Sequence, residues 1–144
     1  MQGLFADIPA LIYGDLYHLL PPEAQAALIA AGDALEEGRL NDGASSALEA
    51  TDRVLRRLYR CRTGEDAPED RDRILAVLEA RPAAPVEMLH RLRLVFGQFP
   101  DPALEAAEDY TPDMAHYLMV SVIDLCERMV TEPDYQPPVP EKPN

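Results

Sequence analysis

The sequence predicts an all-α protein: an antiparallel helical bundle of five to six helices forming one domain over 1–131, then an extended proline-rich tail over 132–144. Three observations carry this prediction. No run of strand length alternates apolar and polar residues, and no tight hairpin turn joins two such runs. Helix start and stop signals recur along the whole chain. The segments between them are short, and short loops bring amphipathic neighbours together antiparallel.

In chain order, a first helix is expected over 7–19, with Pro9 in its opening turn. Prolines at the start and Gly38 at the end bracket a second over 22–37. A long helix over 43–63 has Asn41 or Asp42 as its cap and Gly64 as its stop, and it places Ala44, Leu48, Leu55 and Leu58 inward. GEDAPED is a loop, and EDRDRILAVLEARP holds a shorter helix stopped before Pro82. The next helix covers 85–97. Gly97 is read as its end, Pro100 and Pro102 keep it from resuming, and Phe96 and Phe99 plug the core. PDPALEAAED accommodates a helical turn or two. The last helix covers 112–130, with Thr111 as cap, Pro112 at the first helical position and Asp113 beside the positive helix end. Five prolines in the final twelve residues keep the tail extended.

The last helix has an unusual distribution of faces. At about 100° per residue, Asp113, Asp124, Glu127 and Thr131 share one narrow polar line, and Tyr117 and Val120 lie on that same line. Met114, Leu118, Val122, Leu125 and Met129 face the other way. A helix this apolar around its circumference is buried on more than one side. It therefore lies at the bundle centre, or Tyr117 and Val120 meet a second molecule. The second alternative makes the chain a homodimer, and it is the favoured one.

The formal charge of −13 is unevenly spread. Residues 1–38 carry six acids and no Lys or Arg, residues 39–93 sum to +1, and residues 94–144 sum to −8. Such a chain has no global attraction for nucleic acid, so nucleic acid is an unlikely partner and any contact with it falls to the middle third. There, Arg53, Arg56, Arg57 and Arg60 form one helical stripe. It reads either as a docking stripe for a partner or as a solvated, self-paired face, because Glu49 and Asp52 stand four residues before Arg53 and Arg56. No apolar run is long enough for a membrane helix, and the first twenty residues lack the basic flank of a signal peptide, so a cytoplasmic protein is expected. Cys61 and Cys126 are then thiols.

Two stretches together resemble a known family. LPPEAQAALIAAGDALEEGRLNDGASSALEATDRVLRRLYRC has an LP start, an Ala-rich helix, a Gly-containing corner, and a second helix carrying Ala-Leu-Glu and Val-Leu. With HRLRLVFGQFPDP and YTPDMAHYLMVSVIDLCERMV, it is similar over 20–131 to a HEPN domain, a small helical bundle of prokaryotic toxins, defence proteins and their accessory partners. The family ends a helix with Arg-Asn-x-x-x-His-Pro. In its ribonucleases the arginine and histidine of two protomers act on one RNA phosphate. Here Phe96 stands at the arginine, Gly97 at the asparagine and Asp101 at the histidine, and only Pro102 survives. Phenylalanine cannot hold a phosphate, and aspartate repels one. The resemblance therefore implies an accessory protein with its catalytic motif lost, in a toxin–antitoxin or phage-defence setting.

Other chemistry is sparse. His18, His90 and His116 form no metal-ligand spacing, and there is no Gly-rich phosphate loop or Gly-x-Ser-x-Gly, so no cofactor or metal is expected. The thiol of Cys61 sits between Arg60 and Arg62, without a histidine nearby in sequence to make it a nucleophile. PPVPEK fits Pro-x-x-Pro-x-Lys and reads as a spacer or as a strap onto a neighbour. The sequence thus leans towards a non-catalytic dimer that binds a protein partner. A metal-independent ribonuclease using His90 and Arg93, with Arg91, is the catalytic alternative. An acidic decoy that fills a basic nucleic-acid groove on another protein is the third reading.

Overall fold

Gly38 makes the first turn of the bundle. Its φ of +81° is open to glycine at little cost, and it lets the Gly38 and Arg39 amides close back on the Leu35 and Ala34 carbonyls, at 3.1 and 2.8 Å. Helix α1 (Pro22–Glu36) thereby folds directly back onto α2 (Leu40–Thr63). Small side chains line the seam: Ala24, Ala27 and Ala31 on α1, and Ala44, Ala47 and Ala50 on α2, are all buried. At Gly43 the two backbones come so close that a Cβ would stand 2.5 Å from Leu35 Cδ2 and 3.3 Å from the Ala31 carbonyl oxygen.

The computed structural model describes residues 17–99, 101–102 and 109–138. A 3₁₀ turn, Tyr17–Leu19, leads into α1. Residues 7–16 of the expected first helix, residues 103–108 and the end of the tail lie outside the described residues. After α2 come α3 (Arg71–Ala80), α4 (Val86–Gln98) and α5 (Pro112–Val130), with no strand among the described residues. The all-helical bundle is as the sequence predicts.

Helix α2 is the spine, packed against α1 on one side and α5 on another, with α3 across its C-terminal half and α4 covering α5. Helices α4 and α5 run antiparallel: Arg91 pairs with Asp124 at 3.1 Å, and Arg128 approaches Glu87 at 3.9 Å. The central pair, α2 and α5, run parallel. Asn41, at the start of α2, meets the Asp109–Tyr110 backbone just before α5, and Arg62, at the end of α2, meets Glu132 just after α5. Leu55, Leu58, Leu118, Leu125 and Met129 are fully buried between them. Burying such side chains supplies the main driving force for the fold.

Capping follows the sequence in part. The Thr111 hydroxyl accepts from the Met114 amide at 3.2 Å, as expected. Asp70 caps α3 by accepting from the Asp72 amide. Neither Asn41 nor Asp42 caps α2, which begins after Arg39 with no side-chain cap. Asn41 instead accepts from the Tyr110 amide at 2.9 Å and donates to Asp109 at 3.0 Å, across 69 and 68 residues of chain. A cap available locally was displaced by a tertiary contact that ties down the entry to α5.

Gly97 does not end α4. It lies inside the helix without positive φ, and α4 closes at Gln98 with the Phe99 amide bonded to the Val95 carbonyl at 3.0 Å. Phe99 plugs the core, whereas Phe96 is only half-buried beneath the Arg71 guanidinium, whose carbon lies 3.8 Å from the ring centroid. The tail also departs from a free spacer through residue 138. Tyr135 is buried, and its hydroxyl donates to the Leu19 carbonyl at 2.7 Å.

Candidate functional site

The most distinctive surface lies on α5 and its seam with α4. Ten α5 residues are buried, from Ala115 to Val130, so most of its circumference is inside. The strip left open is apolar: Tyr117 is 62% exposed, Val120 44% and Met114 38%. Leu94, on the side of α4 that carries Arg91 towards α5, is 45% exposed. Tyr117 and Val120 thus face outward as the helical projection expects. Met114 does not: it was assigned to the buried side, and it stands in the first turn of α5, before the neighbouring helices close over it.

This strip is braced from beneath. Phe99 stacks on Tyr117 with ring centroids 5.7 Å apart, and on Tyr110 at 6.4 Å. Burial pushes the Tyr110 hydroxyl up to about 12, with nearby Asp101 acting in the same direction. Asp101, at the family's histidine position, accepts a hydrogen bond from Ser45 Oγ on α2. The turn over 96–102 therefore joins α2, α4 and α5 through Phe96, Phe99 and Asp101.

His90 and Arg93 lie on the outer face of α4. His90 is exposed, while Arg93 Nε donates to Glu79 on α3 at 2.7 Å. That bond holds the Glu79 carboxyl below its ordinary range and the Arg93 guanidinium above its own. Arg91 is turned the other way, to Asp124. The three residues that the catalytic alternative needs are thus not brought together.

The arginine stripe is largely spent within the chain. Arg56 bonds Asp52 at 2.7 Å and the Pro68 and Glu69 carbonyls at 2.8 and 3.0 Å, clamping the loop before α3. Arg57 donates to the Gln136 and Pro137 carbonyls, and Arg60 pairs with Asp66. Only Arg53 keeps a loose tie, 3.6 Å to Glu49, with both side chains about half exposed. Arg53, Arg56 and Arg57 line a groove of about 750 Å³ beside the start of α1.

No protein-family model matches the chain, and no curated protein or solved structure is similar to it. Among the described residues, no group of three or more His, Cys, Asp or Glu side chains is arranged to hold a metal, and no helix is long and apolar enough to cross a membrane. Both cysteines are free thiols. Cys126 is buried against Thr51, and burial pushes its thiol up to about 12, which leaves it protonated and unreactive at neutral pH.

Sequence reasoning missed the clasp formed by α2 and the tail. The Arg62 side chain is only 7% exposed; it pairs with Glu132 at 2.7 Å and approaches Asp134 at 3.7 Å. Cys61 Sγ both accepts from the Gln136 amide and donates to its carbonyl, at 3.4 and 3.5 Å. One signal was present: Tyr135 is the lone aromatic in a proline-rich stretch, an apolar side chain with no helix to carry it.

Proposed function

We propose that this chain is a non-catalytic interaction protein of the HEPN-like accessory kind, which pairs with a second copy of itself through the α4–α5 face and binds a protein partner in the cytoplasm. A toxin–antitoxin or phage-defence setting accompanies the resemblance and rests on it alone. The observation that carries the reading is the exposed strip of Tyr117, Val120 and Leu94, held rigid from beneath by Phe99. Apolar side chains contiguous along a helix seam mark an interaction surface rather than a solvated one. A pair of such faces related by a two-fold axis is self-complementary. The non-catalytic part is supported by Phe96 and Asp101, which occupy the family's motif positions and are engaged in packing and hydrogen bonding, and by Arg93, which is held on Glu79.

The test is the solution mass of the purified 16.0 kDa chain by light scattering. The reading expects twice that mass for the native chain and a single chain for Val120→Glu, with helical content unchanged. A native chain that stays single at about 100 μM overturns the pairing, since the reading expects an interface of standard size. Incubation with single-stranded and structured RNA, with and without magnesium, tests the rest. Cleavage that disappears in His90→Ala or Arg93→Ala overturns the non-catalytic reading and favours the ribonuclease.

A further inference from the structure

The groove beside the start of α1 lies away from the α4–α5 face, and its chemistry differs. Its walls are Leu20, Pro21 and Pro22 on one side and α2 on the other, with Pro138 of the tail at its edge. The tail reaches it by running back along α2: Glu132 is at Arg62, Gln136 at Cys61, and the Gln136 and Pro137 carbonyls at Arg57. Arg57 thus already reads extended polypeptide, donating to two successive backbone carbonyls at 2.8 and 3.3 Å. Its partners are uncharged, so its positive charge is not neutralised by a carboxylate there. One helical turn further along lies Arg53, tied only by its 3.6 Å contact to Glu49.

We infer that this groove is a binding site for an extended, proline-containing acidic peptide of a partner protein, with Arg53 and Arg57 taking its carboxylate and the proline rings of 21, 22 and 138 taking its apolar residues. Arginine forks match carboxylates in two-point geometry. A polyproline-like segment is already extended and loses little freedom on docking. Charge complementarity limits the ligand to a short one. The chain is −13 overall, so a long polyanion is repelled by the surface around the groove, while one or two carboxylates meet only the local arginines. A single-stranded nucleic acid is disfavoured further because no Tyr, Phe or Trp lines the groove for a base to stack on. The site is independent of the pairing proposed above, so either can fail alone.

The experiment is fluorescence anisotropy on the full chain with a labelled peptide of about nine residues alternating proline and glutamate, about 28 Å long when extended. Three comparisons accompany it: the same peptide with glutamine for glutamate, an oligouridylate of equal length, and inorganic phosphate as competitor. The expected result is saturable binding of the glutamate peptide, at least tenfold weaker for the glutamine peptide and at least tenfold weaker for Arg53→Gln. It should weaken between about 50 and about 300 mM salt. Arg60→Gln, a stripe residue outside the groove, should bind as the native chain does. Amide shifts mapped by NMR should cluster at residues 20–25 and 53–57. Equal affinity for the two peptides, indifference to Arg53→Gln, no binding at all, or preferential capture of oligouridylate or phosphate through Arg53 would each overturn the proposal.

Discussion

Phe99 and Tyr117 stack at 5.7 Å between centroids with 28° between ring planes, although Phe99 is buried and Tyr117 is the most exposed ring on α5. One side of the tyrosine is therefore fixed by the core while the other faces out. Phe99→Ala should lower stability by about 3 kcal/mol, as a truncated core ring does. It should also weaken self-association, because Tyr117 loses its support. Tyr117→Ala should cost only about 1 kcal/mol of stability while affecting association at least as much. Chemical denaturation of monomeric variants carrying Val120→Glu separates the two effects.

Three glycine-to-alanine changes should differ in sign. Gly43→Ala pushes a methyl onto Leu35 and the Ala31 carbonyl, and should destabilise by about 1–3 kcal/mol. Gly38→Ala meets no atom within 4 Å but must adopt φ +81°, costing about 1–2 kcal/mol. Gly97→Ala has open space and helical backbone, and should stabilise by about 0.5–1 kcal/mol. Urea titration checks all three, and a destabilised Gly97→Ala would contradict its place inside α4.

Alkaline pH should loosen the fold. Burial raises the ionisation of Cys126, Tyr110 and Tyr135 in the folded chain, the first two to about 12. The unfolded groups ionise near their ordinary values of 9.0 and 10.0. The stability contributed by the neutral forms is present in full below about pH 9 and declines as pH rises towards 12. Denaturation midpoints at pH 7, 9 and about 10.5 should be level and then fall. Tyr135→Phe should flatten the fall.

The two thiols should separate cleanly under a disulfide reagent at neutral pH. Cys61, half-buried beneath Gln136, should react in the native chain, and Cys126 should react only on unfolding. Glu132→Gln, which loosens the strap, should speed Cys61 several-fold and leave Cys126 silent.

Helices and their ends were legible because their signals are local. Pro22, Gly64, Asp70 and Thr111 act within one turn of where they stand. The buried face of α2 was equally plain from spacing, with Ala44, Leu48, Leu55 and Leu58 all inside. What escaped depends on residues far apart in sequence. Asn41 has a capping residue's chemistry, but its partner lies 69 residues on. Gly97 looks like a stop, yet α4 continues through it to Gln98. The stripe from Arg53 to Arg60 shows its ion pairs to Glu49 and Asp52 in the sequence, four residues apart; its bonds to Pro68, Gln136 and Pro137 do not show there.

The hydrogen bond from Tyr135 to Leu19 spans 116 residues. Closing a loop that long is entropically slow, so this contact should form after the helices have docked and should be the first to yield. The segment from Glu132 to Pro138 would then open and reclose as a unit of its own while the five helices stay assembled. Hydrogen exchange at the Tyr135 and Gln136 amides would read that opening as rapid turnover beside the slow core of α2 and α5.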